Sequence, residues 1–185
     1  MRKIILSITA LFLALGINGC EEKIITRAKV VDSTVEGIEY QCAGMVNYTP
    51  KSGELACYHM PLGFKVGEIK IGILYEVPSD GIIFPQDMLG VARENIRNED
   101  VKKLTVLLQS VDSDSNPKNG ITITKETREK LNDFIDLKKI SFSELKDYLE
   151  AKLNKELVPQ EKAIEHLYHS MRQYKAIGED FKLSY

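Results

Sequence analysis

The chain has 185 residues, 25 of them basic and 27 acidic, with 43% hydrophobic side chains and no tryptophan. Beyond Arg2-Lys3 its basic doublets are Lys102-Lys103 and Lys138-Lys139. A balance this even excludes the clustered basic face that nucleic-acid binding requires, while the length suffices for one or two domains with real cores.

The N-terminal two dozen residues read as an export signal. Arg2 and Lys3 are followed by an uncharged run from Ile4 to Ile17, then Asn18-Gly19-Cys20 and Glu21-Glu22. A basic start, a short apolar core and a small-residue exit define a secretory leader, and the core is too short to span a bilayer. Ala14-Leu15-Gly16 suits an ordinary signal peptidase. Ile17-Asn18-Gly19-Cys20 instead resembles the lipobox of bacterial lipoproteins, with Asn18 departing from its usual small or apolar residue. The three cysteines favour the second reading, because acylation of Cys20 leaves Cys42 and Cys57 as an even pair. Removing residues 1–19 takes away Arg2 and Lys3 and no acid, so 23 basic residues face 27 acidic ones, a net −4.

Eight of the twelve glycines lie between Gly37 and Gly90, and four of the six prolines between Pro50 and Pro85. Dense turn residues between short apolar stretches predict strands, and their scarcity after residue 90 predicts helices. Strands are expected around 28–31, 37–41, 45–48, 54–58, 69–73 and 81–84. In the fifth, Ile69, Ile71 and Ile73 alternate and are expected on one face. Gly63, Gly67 and Gly72 read as strand-end residues. The expected architecture is α+β, a small antiparallel β-sandwich followed by a helical C-terminal part.

Asn98 caps a predicted helix with Val101, Leu104, Leu107, Leu108 and Val111 along one face, and Glu99-Asp100 suit its positive end. Three further helices are expected at roughly 124–137, 141–154 and 159–175. Thr124, then Ser141 or Ser143, head the first two, and Pro159 suits the first turn of the third. The segments are a signal peptide 1–19, a tether 20–27, a β-sandwich 28–90, a helix plus acidic loop 91–123, a helical region 124–178 and a tail 179–185.

Cys42 and Cys57 fall on predicted strands in an exported chain, which favours a disulfide. The alternative, metal bound by both with His59, lacks paired CxxC spacing and a fourth ligand. In the loop after the first helix, Asp112, Asp114 and Asn116 alternate, as oxygen ligands do around calcium, with Asn119 close behind. It is not an EF-hand, since Pro117 and Ile123 stand where glycine and glutamate belong. Turn formation by the Asx side chains explains the same residues, and Asn119-Gly120 is a strong turn dipeptide. A bound calcium ion is one expectation here, and it would be structural. His166 and His169 share a helical face, but Lys162 replaces the first histidine of the inverted zinc-protease motif, so they read as surface or packing residues. No nucleophile elbow, phosphate loop or dinucleotide fingerprint occurs.

Several of these stretches recur together elsewhere. Val35-Glu36-Gly37-Ile38-Glu39-Tyr40-Gln41-Cys42, Thr49 with Gly53, Val66 to Gly72, and Ile83-Phe84-Pro85-Gln86-Asp87 are four such stretches. The run Leu107-Leu108-Gln109-Ser110-Val111-Asp112-Ser113-Asp114-Ser115-Asn116-Pro117-Lys118-Asn119-Gly120-Ile121 is the most specific. Together they resemble a domain found in uncharacterised exported bacterial proteins and lipoproteins. The front part further resembles transthyretin-like, or carboxypeptidase-regulatory-like, sandwiches. The resemblance implies an exported, non-catalytic module with an acidic loop and names no substrate.

The functional expectation is a non-enzymatic envelope or surface lipoprotein, periplasmic or on the cell surface. It would be held to a membrane by lipid on Cys20 and act on an unknown protein or envelope partner. The alternatives are a hydrolase with an unrecognised site, or a small-ligand carrier with a pocket between sandwich and helices. A polar cleft with a perturbed carboxylate or histidine would favour the enzyme, and a closed apolar junction the structural module.

Overall fold

The structure, a computed structural model, describes residues 25–183. The leader, Cys20 and most of the tether therefore lie outside the described residues. Strands β1 (Thr26–Val30), β5 (Glu54–Cys57) and β8 (Ile82–Ile83) form one sheet with β1 in the middle. A second sheet runs β10 (Ile135–Asp136), β7 (Ile69–Leu74), β6 (Leu62–Val66), β3 (Glu39–Cys42), β4 (Met45–Tyr48), and β2 (Val35–Glu36) pairs with β9 (Ile121–Thr122).

The expected α+β class is what the chain adopts, with helices concentrated in the C-terminal part. Its sheets, however, are not purely antiparallel. β1 pairs with β8, β7 with β10 and β2 with β9 in parallel. The last two of these pairings draw residues 121–136 back onto the N-terminal strands, so both parts of the chain share one core.

The isoleucine ladder of β7 is broken. Ile69 and Ile71 are buried, but Ile73 is exposed and Leu74 takes the inward position. Phe64 pairs with Gly72 while Lys65 pairs with Lys70, which leaves Ile71 as an extra residue in a β-bulge. One inserted residue reverses the facing of every side chain beyond it. Neither Gly63 nor Gly72 ends a strand: the former lies inside β6, the latter inside β7. Gly72 is where α1 (Pro85–Leu89) crosses the sheet, and a Cβ there would stand 2.1 Å from the Met88 carbonyl oxygen.

Helix α2 (Glu99–Ser110) is capped as expected, Asn98 accepting from the backbone N–H groups of Asp100 and Val101. It is buried over most of its circumference, as befits a central helix. Even Lys103 is buried, its ammonium donating to the carbonyls of Leu137 (2.6 Å) and Ile140 (2.8 Å). Helices α4 (Phe142–Leu153), with a Ser141–Glu144 capping box, and α5 (Gln160–Gln173) match their predicted spans within a few residues.

The helix expected over 124–137 stops early. α3 covers Lys125–Lys130 behind its Thr124 cap, and Ile135 then pairs with Ile69 at the open edge of β7. Pairing with that edge satisfies backbone groups that a continued helix would leave unpaired on the sheet. Leu131 is fully buried, whereas Phe134, read as part of the same apolar stripe, is 75% exposed.

Candidate functional site

A cleft of about 580 Å³ opens between the loop 112–120 and α5. Gln109 of α2 lines its floor, Asn116 and Lys118 one wall, and Lys162, His166 and His169 of α5 the other. α5 directs Lys162, His166 and His169 to one side because they are spaced at helical intervals of four and three.

The loop wall is built by its own carboxylates. Asp112, almost wholly buried, accepts the backbone N–H groups of Thr122 (2.9 Å) and Asn116 (2.8 Å). Asp114 accepts the same Asn116 N–H (2.9 Å) and the Asn119 side-chain amide (2.9 Å). All four residues singled out in the sequence, Asp112, Asp114, Asn116 and Asn119, are therefore brought together. Burial, followed by the nearby Asp114, raises the pKa of Asp112, while the Asn119 amide and Asn116 N–H lower that of Asp114. Two carboxylates converging on one N–H leave excess negative charge and free lone pairs, the chemistry that suits a hard cation. Among the described residues no three His, Cys, Asp or Glu side chains gather as a metal cluster, so any ion would draw on Asn and backbone oxygens. Lys155 braces the loop by donating to the Asp112 carbonyl (3.2 Å) and the Ser115 hydroxyl (3.3 Å).

Beneath the cleft lies a polar cluster that the sequence reading missed. Asp32 is completely buried in the turn after β1, and Gln109 Nε2 donates to its carboxylate (3.1 Å) and to the Ala163 carbonyl (3.0 Å). Burial drives the Asp32 pKa well above its ordinary value, against the Gln109 bond. His166 Nε2 meets the Asp32 main-chain oxygen at 3.0 Å and the Ser33 hydroxyl at 3.1 Å. A carbonyl oxygen can only accept, so Nε2 carries the proton. Ser33 is therefore not deprotonated by this nitrogen, despite its left-handed backbone (φ 53°). Desolvation lowers the His166 pKa, which disfavours the charged ring. His169 is exposed and points to no such network; its partner is Glu165 at 4.0 Å. A signal for Gln109 existed, a polar residue directly after the apolar run Val106-Leu107-Leu108 within a helix. Asp32 gave none.

Cys42 of β3 and Cys57 of β5 are bonded, on the buried sides of two different sheets. The metal alternative for this pair is thereby set aside, since a disulfide sulfur has no thiolate to offer. Fold and site define a mixed α+β protein with two sheets joined by a disulfide and a polar cleft beside an acidic loop. Set against protein-family models, curated proteins and solved structures, the chain matches none.

Proposed function

We propose that this protein is an exported lipoprotein, tethered to a membrane by lipid on Cys20, that works as a non-catalytic binding module through the cleft beside α5. The observation carrying this reading is the Cys42–Cys57 disulfide. Disulfides persist in oxidising compartments outside the cytosol, and the bond leaves Cys20, at the lipobox-like exit of the leader, as the remaining cysteine. The β-rich part belongs, in this reading, to the transthyretin-like sandwiches, and the paired sheets bridged by a buried disulfide are in keeping with that. Calcium held by Asp112, Asp114, Asn116 and Asn119 would stiffen the wall of the cleft.

A polar cleft above an Asp32 with a raised pKa and a His166 with a lowered one is the feature expected of an enzyme, but the way these polar groups are used favours non-catalytic binding. Asp32 is sealed from solvent and His166 Nε2 is committed to a backbone carbonyl. A small-ligand carrier is the second reading, favoured by a cleft of about 580 Å³ that falls in the range of ligand pockets. A hydrolase draws on the neutral His166, whose Nδ1 keeps its lone pair.

Expression in a bacterium followed by fractionation tests the lipoprotein reading. The mature N-terminal peptide should carry an acyl mass on Cys20, and Cys20→Ser should release the protein from membranes. A full-length, unprocessed product in the cytosol would falsify this reading.

A further inference from the structure

Six of the eight large hydrophobic side chains exposed among the described residues are Ile25, Met45, Val46, Tyr58, Ile73 and Tyr75. Strand register brings them to one end of the molecule. Thr26 pairs with Cys57, Cys57 is bonded to Cys42, Cys42 pairs with Met45 and Leu62, and Leu62 pairs with Leu74. Ile25, Tyr58 and Tyr75 each lie one residue from that chain of partners. Val46 and Ile73 lie one step inward and share the outer face through Gln41 and Gly63. Ile73 is on that face because of the β7 bulge. The other two exposed residues lie elsewhere: Tyr48 pairs with Glu39 at the far end of β3, and Phe134 adjoins the start of β7.

The same end carries little formal charge, with exposed Arg27 beside Thr26 and exposed Glu76 beside Tyr75 at its margin. Segments 40–50, 55–64 and 71–75, which supply most of its strands and turns, contain no Asp, Glu, Lys or Arg, in a chain that is 28% charged. Tyr75 is 75% exposed and Met45 56%. A largely apolar surface of this kind marks a contact site, and tyrosine beside aliphatic side chains suits the boundary between headgroups and acyl chains.

Chain length names the occupant. Cys20 precedes Ile25 by five residues, which reach at most about 18 Å when fully extended. We infer that this end is the membrane-facing surface of the protein, with Met45, Val46, Tyr58, Ile73 and Tyr75 resting in the lipid interface. The inference builds on the reading of Cys20 as the acylated residue. A lipid at Cys20 would hold Ile25, and with it this end, within that short distance of the headgroups. The cleft beside α5 is then left free for a ligand.

Hydroxyl-radical footprinting of the purified, processed protein on phosphatidylethanolamine–phosphatidylglycerol vesicles tests it, with the Cys20→Ser protein in vesicle-free buffer as reference. Labelling of Met45, Tyr58 and Tyr75 should fall about threefold or more on vesicles, while Phe134 labels equally in both, as expected for side chains shielded by lipid. Equal labelling of Tyr75 in both states, with the protein acylated and vesicle-bound, overturns the inference alone. An N-terminal peptide without an acyl mass overturns the lipoprotein reading and this surface with it. Protection of Met45 that appears without vesicles and rises with protein concentration assigns the surface to a second copy and also overturns it.

Discussion

Cys42 and Cys57 lie in different sheets, with their Cα atoms 5.7 Å apart, and their bond fastens β3 to β5 where hydrogen bonding does not. Loop-closure entropy for a loop of this size is worth about 3 kcal/mol. The Cys42→Ala/Cys57→Ala double variant should therefore melt about 6–12 °C lower than the parent, at a few degrees per kcal/mol for a chain of this length. Reduction of the parent with a thiol should reproduce most of the shift. Superimposable melts of oxidised and reduced protein would show that the sheets need no covalent tie.

Lys103 illustrates a different dependence. Its buried ammonium holds the Leu137 and Ile140 carbonyls and pairs with Asp100 at 2.7 Å. Lys103→Met keeps the stem but orphans two carbonyls of the segment joining β10 to α4. The expected loss is about 2–4 kcal/mol in urea unfolding, the cost of leaving charge-assisted acceptors unpaired. A loss under about 0.5 kcal/mol, the level of ordinary surface changes, would mean that water replaces the ammonium.

The disulfide shows where the sequence was legible. Cysteine parity pointed to the disulfide because it depends on counting and compartment alone. The caps at Asn98, Thr124 and Ser141 were equally readable, since a capping side chain bonds to residues two or three positions away. What escaped were long-range events. The bulge at Ile71 depends on how β6 meets β7, and the end of α3 at Lys130 depends on the free edge of β7. At the candidate site, the alternating oxygens of 112–116 were visible as a local pattern. Asp32 was not, because its partner Gln109 is 77 residues away.

Gly72 and Gly63 provide a matched pair. A Cβ on Gly72 collides with the backbone of α1 at 2.1 Å, whereas one on Gly63 meets only Gln41 side-chain atoms, at 3.8 Å and beyond. Gly72→Ala should cost about 1–3 kcal/mol or more as α1 is displaced, in the manner of an overpacked core. Gly63→Ala should be near neutral or slightly stabilising, because a strand glycine loses more backbone freedom on folding than alanine does. Equal stabilities for the two variants in denaturant melts would contradict the close approach of α1.

Calcium, if it occupies the acidic loop, binds the folded chain and must raise its melting temperature. At a free concentration 100 times the dissociation constant the gain is about 2.7 kcal/mol. Millimolar calcium should shift the melt upward, magnesium should do so less because it demands stricter octahedral geometry, and Asp114→Asn should abolish the shift. Thermograms unchanged by calcium would leave Asp112 and Asp114 as turn formers that hold the Asn116 N–H.

The buried acid and the neighbouring histidine predict opposite responses to pH. Asp32 has a folded-state pKa raised well above 3.8, so between those values the folded chain binds more protons than the unfolded chain. Its contribution is complete at pH below 3.8 and is lost as pH rises through the raised value. His166 has a folded-state pKa below 6.5, so the unfolded chain takes up its proton first on acidification, and stability falls as pH drops below 6.5. Asp32→Asn keeps an acceptor for Gln109 but removes the titration. Whatever its effect at acidic pH, its melting temperature should gain on that of the parent as pH is raised from about 4 towards 7, the range above an ordinary carboxyl pKa. His166→Gln should instead flatten the loss on the acid side of 6.5. Parallel pH profiles for the parent and Asp32→Asn would show that the Asp32 carboxyl titrates alike in the folded and unfolded chains, contrary to its burial.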